Sequence, residues 1–303
     1  MTIHWVRAGL LVIALMMTGR FGLALNPEWT TPLTPFRIAD HLYYVGSRDL
    51  ASYLVVTPDG DILVNSSLES SVPLIERSVE QLGFRFTDIK ILLISHAHFD
   101  HAAGSAEVKR LTRGQHGSGA EYMVMDGDVA TVESGGAQDL AYPKDRYPST
   151  KVDRVLHDGD AVRLGGVVLV AHKTAGHTPG CTTWTMRVTD QGQQRDVVIV
   201  GSWNVNPGYR LVDTPATKRR PATAASYPGM AADYRKTFLT LKSLPCDIFL
   251  GAHGGYFDML EKLERAKAGA GQSVWIDSEG YRAAIKEREQ AFEAELRRQQ
   301  GRR

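Results

Sequence analysis

The chain has 303 residues, 43% of them apolar and 23% charged, an ordinary balance for a globular protein large enough to bury a sizeable core. With 35 basic against 34 acidic residues the formal charge is +1, which excludes the basic footprint of a nucleic-acid binder and leaves small molecules as the expected partners. Cys181 and Cys246 are too few for a disulfide-built fold and read as small, buried, inert thiols.

The amino terminus reads differently from the rest. His4 and Arg7 open a short polar stretch, Ala8 to Thr18 is an apolar run without charge, and Gly22-Leu23-Ala24 offers small residues where a signal peptidase cuts. A run of about 11 residues is short of the roughly 20 needed to span a bilayer. Residues 1–24 are therefore expected to be a cleaved secretory signal and 25–303 a single exported domain, periplasmic, monomeric and without stable membrane association.

Beyond the signal, Leu42 to Val45, Ser52 to Val56 and Ile62 to Val64 read as short strands, with Pro58-Asp59-Gly60 as a hairpin turn. Val72 to Leu82 has apolar residues at helical spacing and leads to a buried strand, Ile91 to Ile94. A helix is expected over Ala102 to Leu111, a strand over Tyr122 to Met125, and a helix capped by Asp126 and running to Ser134. Gly135 to Val152 lacks periodicity and reads as a long surface loop. Strands return at Ala161 to Leu164, Val167 to Ala171, Thr182 to Val188 and Val197 to Val200. Asp213 to Ser226, with Lys218, Arg219, Arg220 and two prolines, reads as a mobile connector with a solvated basic face. Tyr234 to Leu244 and Met259 to Ala268 read as helices around a strand at Ile248 to Leu250. The tail, about 279–298, places Tyr281, Ile285, Phe292 and Leu296 on one helical face that packs on the body. A β-meander followed by βα units occurs twice, so the expected architecture is α/β: two similar halves, their mixed sheets packed face to face with helices outside.

Chemistry concentrates in Ser95-His96-Ala97-His98-Phe99-Asp100-His101, directly after Ile91-Leu92-Leu93-Ile94. Residues two apart on extended backbone point to the same side, so His96 and His98 can reach one ion, while Asp100 and His101, after the turn, can reach a second. A hydrolytic zinc usually takes three protein ligands, so more histidines are needed. His177, in Ala175-Gly176-His177-Thr178-Pro179-Gly180, and His253, in Gly251-Ala252-His253-Gly254-Gly255, both occupy strand-end loops. His4, His41, His116 and His157 read as surface or structural histidines; His172, ending a strand near His177, is kept as a supporting residue behind the ligands.

On these motifs the chain resembles metallo-β-lactamase-fold hydrolases, in particular class B β-lactamases of subgroup 3, from Ile38 to Ala268. Shared context includes Pro58-Asp59-Gly60, Glu133-Ser134-Gly135-Gly136, Pro207-Gly208-Tyr209 and Leu244-Pro245-Cys246-Asp247. The resemblance implies a four-layer αβ/βα sandwich and two Zn2+ per chain, one on His96, His98 and His177 and the other on Asp100, His101 and His253. It further implies hydrolysis of the β-lactam amide of penicillins, cephalosporins and carbapenems by a metal-bound hydroxide, giving antibiotic resistance. Asp100 would orient that hydroxide and handle its proton, and Ser202 and Asn204 would contact the substrate.

The end of the strand Val197 to Val200 separates this reading from its rivals. Glyoxalase II, lactonase and ribonuclease relatives usually carry Gly-Asp there, with the aspartate bridging both metals; this chain has Gly201-Ser202. The alternative is a hydrolase of the same fold acting on a lactone, thioester or phosphodiester. Asn65 departs from the aspartate that relatives often carry at that strand end, which leaves its supporting hydrogen bond open.

Overall fold

The computed structural model describes residues 26–114, 117, 119–216, 218 and 221–301. The expected signal segment with His4, and also His116, Arg219 and Arg220, lie outside them.

Strands β1 (Phe36–Ala39), β2 (Leu42–Tyr44), β3 (Tyr53–Thr57) and β4 (Gly60–Val64) form an antiparallel meander, with Thr57 paired to Gly60 across the Pro58-Asp59 turn. Helix α1 (Val72–Gln81) makes the crossover that lets β5 (Ile89–Leu93) run parallel to β4. After α2 (Phe99–Ala102) and α3 (Ser105–Leu111), β6 (Glu121–Met125), α4 (Val129–Glu133) and β7 (Arg154–Leu156) complete a seven-stranded sheet in the order β1 to β7. The second sheet has the order β12-β11-β10-β9-β8. It is built from β8 (Ala161–Leu164), β9 (Val167–Lys173), β10 (Thr182–Asp190), β11 (Gln193–Val200) and, after α5 (Met230–Ser243), β12 (Ile248–Gly251). Helices α6 (Met259–Arg265) and α7 (Ser278–Gln299) follow.

Alternation along the strands sorts their side chains into layers. Ile62, Val64, Ile91, Leu93 and Met123 share a core with Leu169, Trp184, Met186 and Ile199 of the second sheet. Leu54, Leu63, Leu92 and Tyr122 point the other way, to Val72, Ile75 and Val79 of α1 and Val108 of α3. Beyond the second sheet, Tyr281 of α7 contacts Phe249 of β12, and Phe292 of α7 lies against Tyr234 and Phe238 of α5. The result is an α/β arrangement of two mixed sheets with helices on both outer faces, as expected. Each large side chain buried here contributes about 1.5–3 kcal/mol.

Several local expectations are corrected. Strands β1 and β7 were not anticipated, being three or four residues long at sheet edges. Strand β11 begins at Gln193 because its polar first half still pairs with Arg187 to Asp190 of β10. The helix expected over Ala102 to Leu111 is broken at Ala103-Gly104, where a Cβ on Gly104 would lie 2.4 Å from the Ser66 carbonyl. Asp126 caps nothing: it pairs with Lys173, while Asp128 occupies the position before α4. Met230 rather than Tyr234 opens α5, and α6 ends at Arg265. Within the 213–226 connector, Thr214 and Thr223 pair in an antiparallel bridge. Both cysteines are free, as expected, with Cys181 buried but Cys246 only partly so.

Candidate metal centre

The backbone delivers the candidate residues to one end of the two sheets. Ile94 to His98 continue from the C-terminal end of β5, α2 carries Asp100 and His101, His177 lies between β9 and β10, and His253 follows β12. Asn65 holds the first segment in place: its side-chain amide donates to the Ala51 carbonyl (3.1 Å) and its Oδ1 accepts from Ser95 N (2.7 Å). The hydrogen bond left open by the aspartate-to-asparagine departure is therefore present.

His96, His98 and His177 converge, with one ligand atom from each lying within 4.8 Å of the others. The second group is as close: His101 Nε2 is 3.2 Å from His253 Nε2, and Asp100 Oδ2 lies 3.4 Å from the former and 3.6 Å from the latter. His96 also lies within 4.8 Å of Asp100 and His101, so the two groups are contiguous.

The outward-facing nitrogens are held by the protein. His177 Nδ1 donates to the Asn204 carbonyl (2.8 Å) and His253 Nδ1 to Asp49 Oδ2 (3.0 Å). His98 Nε2 faces Asp139 Oδ1 (3.5 Å) and the Tyr209 hydroxyl (3.3 Å). Such partners fix ring orientation and direct the other nitrogen inward. By contrast His96 Nδ1, His101 Nδ1 and Asp100 Oδ1 are buried with no hydrogen-bond partner. Buried polar atoms are rarely left so. Five imidazoles and a carboxylate, with Asp100 Oδ1 unpartnered and two Nε2 atoms facing each other across 3.2 Å, fit a cation-binding centre.

Electrostatics agree. Burial, reinforced by neighbouring imidazoles, holds His96, His98 and His101 well below the ordinary histidine range, and burial lowers His177 to about 4. These rings are neutral at pH 7, the form that ligates metal. Burial raises Asp100 to about 6. His253 goes the other way: burial favours its neutral form, but Asp49 and Asp100 together outweigh this and raise it.

A further aspartate joins the loops. Asp128, buried, accepts from Ala97 N, the Thr178 hydroxyl and Gly180 N, all at 2.8 Å, tying the His96–His98 segment to the His177 loop. The glycines permit this approach. A Cβ on Gly180 would sit 2.5 Å from Asp128 N, and one on Gly127 would sit 2.3 Å from the Pro179 carbonyl.

Ser202 is buried with its hydroxyl 3.0 Å from the Tyr256 hydroxyl, and the Asn204 amide donates to that same hydroxyl (3.1 Å); Tyr256 in turn lies 5.1 Å from the His253 ring. His172 is corrected: it shares the face of β9 with Val168 and Val170, opposite the core residues Leu169 and Ala171, and its Nε2 bonds Thr185 (2.8 Å) rather than any site residue. His157 is exposed beside Asp160. Asp49, Asp128, Asp139, Tyr209 and Tyr256 escaped sequence reasoning, although Tyr209 lay in a noted motif, Pro207-Gly208-Tyr209.

Comparison with known proteins places this arrangement. Residues 48–190 match the family model of the metallo-beta-lactamase superfamily. The FEZ-1 metallo-beta-lactamase from Legionella gormanii superposes with a TM-score of 0.82 at 49% identity, over 89% of this chain and 98% of that one. BJP-1, a subclass B3 metallo-beta-lactamase of Bradyrhizobium japonicum, gives 0.80 at 33% identity, over 91% and 98%. A hydroxyacylglutathione hydrolase from Methylobacterium sp. (strain 4-46) is 32% identical over 108 residues, 36% of this chain; the match spans about a third (32%) of that relative's length. The chain belongs to the metallo-beta-lactamase superfamily, with subclass B3 enzymes as structural neighbours, and is a hydrolase of the metallo-beta-lactamase fold.

Proposed function

We propose that this protein hydrolyses the β-lactam amide bond of penicillins, cephalosporins and carbapenems with two zinc ions, and so confers resistance to them. His96, His98 and His177 would hold one ion, and Asp100, His101 and His253 the other. When bound, such a metal pair polarises a carbonyl and lowers the pKa of a water to about 7.

The chain's own residues supply position and proton transfer. Asp49, Asp139, Tyr209 and the Asn204 carbonyl fix the rings of His253, His98 and His177, so no reorganisation is needed during reaction. Asp100, whose Oδ1 has no protein partner, would orient the attacking water and accept its proton. The partly exposed Asn204 amide would donate to the substrate carboxylate; Ser202, expected to contact substrate as well, is buried and would act through the Tyr256 hydroxyl it bonds.

The observation that carries this reading over a thioester or lactone hydrolase is Ser202. At the strand end where the rival families present a bridging carboxylate, this chain presents a neutral hydroxyl, buried and bonded to Tyr256. The similarity to hydroxyacylglutathione hydrolases favours the rival, but it covers only part of those proteins. Assaying the purified zinc-loaded protein on a penicillin, a cephalosporin, a carbapenem, a lactone and a glutathione thioester decides between them. Lactam turnover supports the proposal, whereas lactone or thioester cleavage without lactam turnover overturns it.

Export follows the same reading. Among the described residues no helix is long and apolar enough to cross a membrane. We propose that residues 1–24 direct the chain to the periplasm, where it acts as a monomer; sequencing the amino terminus of the periplasmic protein and measuring its mass in solution check both.

A further inference from the structure

Helix α7 ends against the loop that supports the histidine cluster. Gln299, its last residue, uses its side-chain amide as a two-sided clamp on that loop. Nε2 donates to the Tyr209 carbonyl (2.8 Å), and Oε1 accepts from Leu211 N (2.7 Å). Nε2 also donates to Glu295 Oε1 (2.7 Å), a carboxylate fixed in turn by Arg298 through bonds of 2.7 and 2.6 Å. The residue so clamped is Tyr209, whose buried hydroxyl donates to the His177 carbonyl (2.7 Å) and lies 3.3 Å from His98 Nε2.

A second route runs from the same helix to the same histidine. Phe292, two turns before Gln299, stacks on Tyr234 with ring centroids 5.0 Å apart. The Tyr234 hydroxyl donates to the Asn204 carbonyl (2.6 Å), which is also the acceptor for His177 Nδ1 (2.8 Å). One route therefore fixes the backbone of His177 and the other fixes its ring. Amphipathic packing alone accounts for Tyr281, Ile285, Phe292 and Leu296; it does not require a glutamine that satisfies a carbonyl and an amide of the loop together.

We propose that the last two turns of α7 are a positioning element for the His96/His98/His177 cluster, and that Gln299 is a positioning residue acting through Tyr209. This rests on the metal-centre reading above. Loss of the Gln299 amide would free Tyr209 to shift, loosening both His177 and His98 while leaving the core beneath α7 intact.

The test uses the full mature chain. Zinc affinity is measured by competition with a chromogenic chelator, and ligand geometry by the visible spectrum of the cobalt-substituted protein. Gln299→Ala should bind zinc about tenfold more weakly, at the lower end of what removing supporting hydrogen bonds costs a metal site. Its cobalt spectrum should change, and its metal-free melting temperature should stay near that of the wild type. Arg297→Ala, on the exposed side of the same turn, should change none of these. In a Tyr209→Phe background, Gln299→Ala should add less than a twofold loss, because the two act in series. Should Gln299→Ala not fold, Gln299→Met, which keeps the length of the side chain and loses both hydrogen bonds to the loop, should show a similar loss. Wild-type zinc affinity and spectrum in folded Gln299→Ala or Gln299→Met, or independent, multiplying losses in the double variant, would overturn the inference. A wild-type protein that binds no zinc would overturn the metal-centre reading as well.

Discussion

The Nδ1–H of His253 donates to Oδ2 of Asp49 across 3.0 Å, joining residues 204 positions apart in the chain. The same oxygen accepts the Trp29 indole N–H (3.0 Å), and Oδ1 accepts from Gly255 N (3.1 Å), so the carboxylate is held on both sides. Burial alone would raise Asp49, yet these bonds, led by His253, lower it below the usual carboxylate range. Asp49 therefore stays ionised at neutral pH and keeps His253 Nε2 turned toward Asp100 and His101.

Asp49→Ala should weaken zinc binding at the proposed Asp100/His101/His253 site by about 10- to 100-fold, the range found when such outer partners are removed. Equilibrium dialysis at graded free zinc measures it. Undiminished binding at this site would show that packing alone orients His253.

His253→Ala should go further and remove most hydrolytic activity by disabling that site, while the His96/His98/His177 site keeps its ion. Zinc per chain and kcat/KM, measured together, check this. Full activity in the variant would refute the assignment of His253.

Asp128→Ala would leave the Ala97 and Gly180 amides and the Thr178 hydroxyl unpaired in the interior. At about 1–3 kcal/mol for each buried group left unsatisfied, the chain should lose about 3 kcal/mol or more. Urea unfolding of the metal-free protein measures the loss. A change under about 1 kcal/mol would mean that water replaces the carboxylate at this junction.

In metal-free protein, the His177 imidazole should remain neutral until about pH 4, as burial dictates. Its folded value lies below the ordinary 6.5, so the unfolded chain takes up the proton first. This residue's contribution to stability is accordingly present above pH 6.5 and is lost as pH falls from there through about 4. Imidazole NMR shifts followed from pH 8 to 3 check the value; titration near 6.5 would contradict it.

What the sequence revealed was what is local along the chain. The run Ile91 to Ile94, the histidines just beyond it, and the glycine-flanked His177 and His253 could all be read because strand, turn and ligand lie within a few residues of one another. Asp49, Asp128 and Tyr209 could not, because each meets its partner across 31 to 204 residues: Asp128 bonds Ala97 31 positions away, and Tyr209 reaches His177 32 away. His172 misled for the complementary reason. It is close to His177 in sequence, but its place on β9 turns it to the opposite face of the sheet. Gln299 lies at the end of a helix whose apolar stripe explained its packing and concealed its polar contact with the Tyr209 loop.

The proposed β-lactam hydrolysis depends on two zinc ions. It is tested most directly by following carbapenem hydrolysis in the purified mature protein as zinc is stripped with a chelator and returned stepwise. The active protein should carry two zinc ions per chain, show no turnover after stripping, and recover completely only as the second equivalent is restored. Turnover that survives complete removal of zinc, or a zinc-replete protein that leaves penicillin, cephalosporin and carbapenem intact, would contradict it.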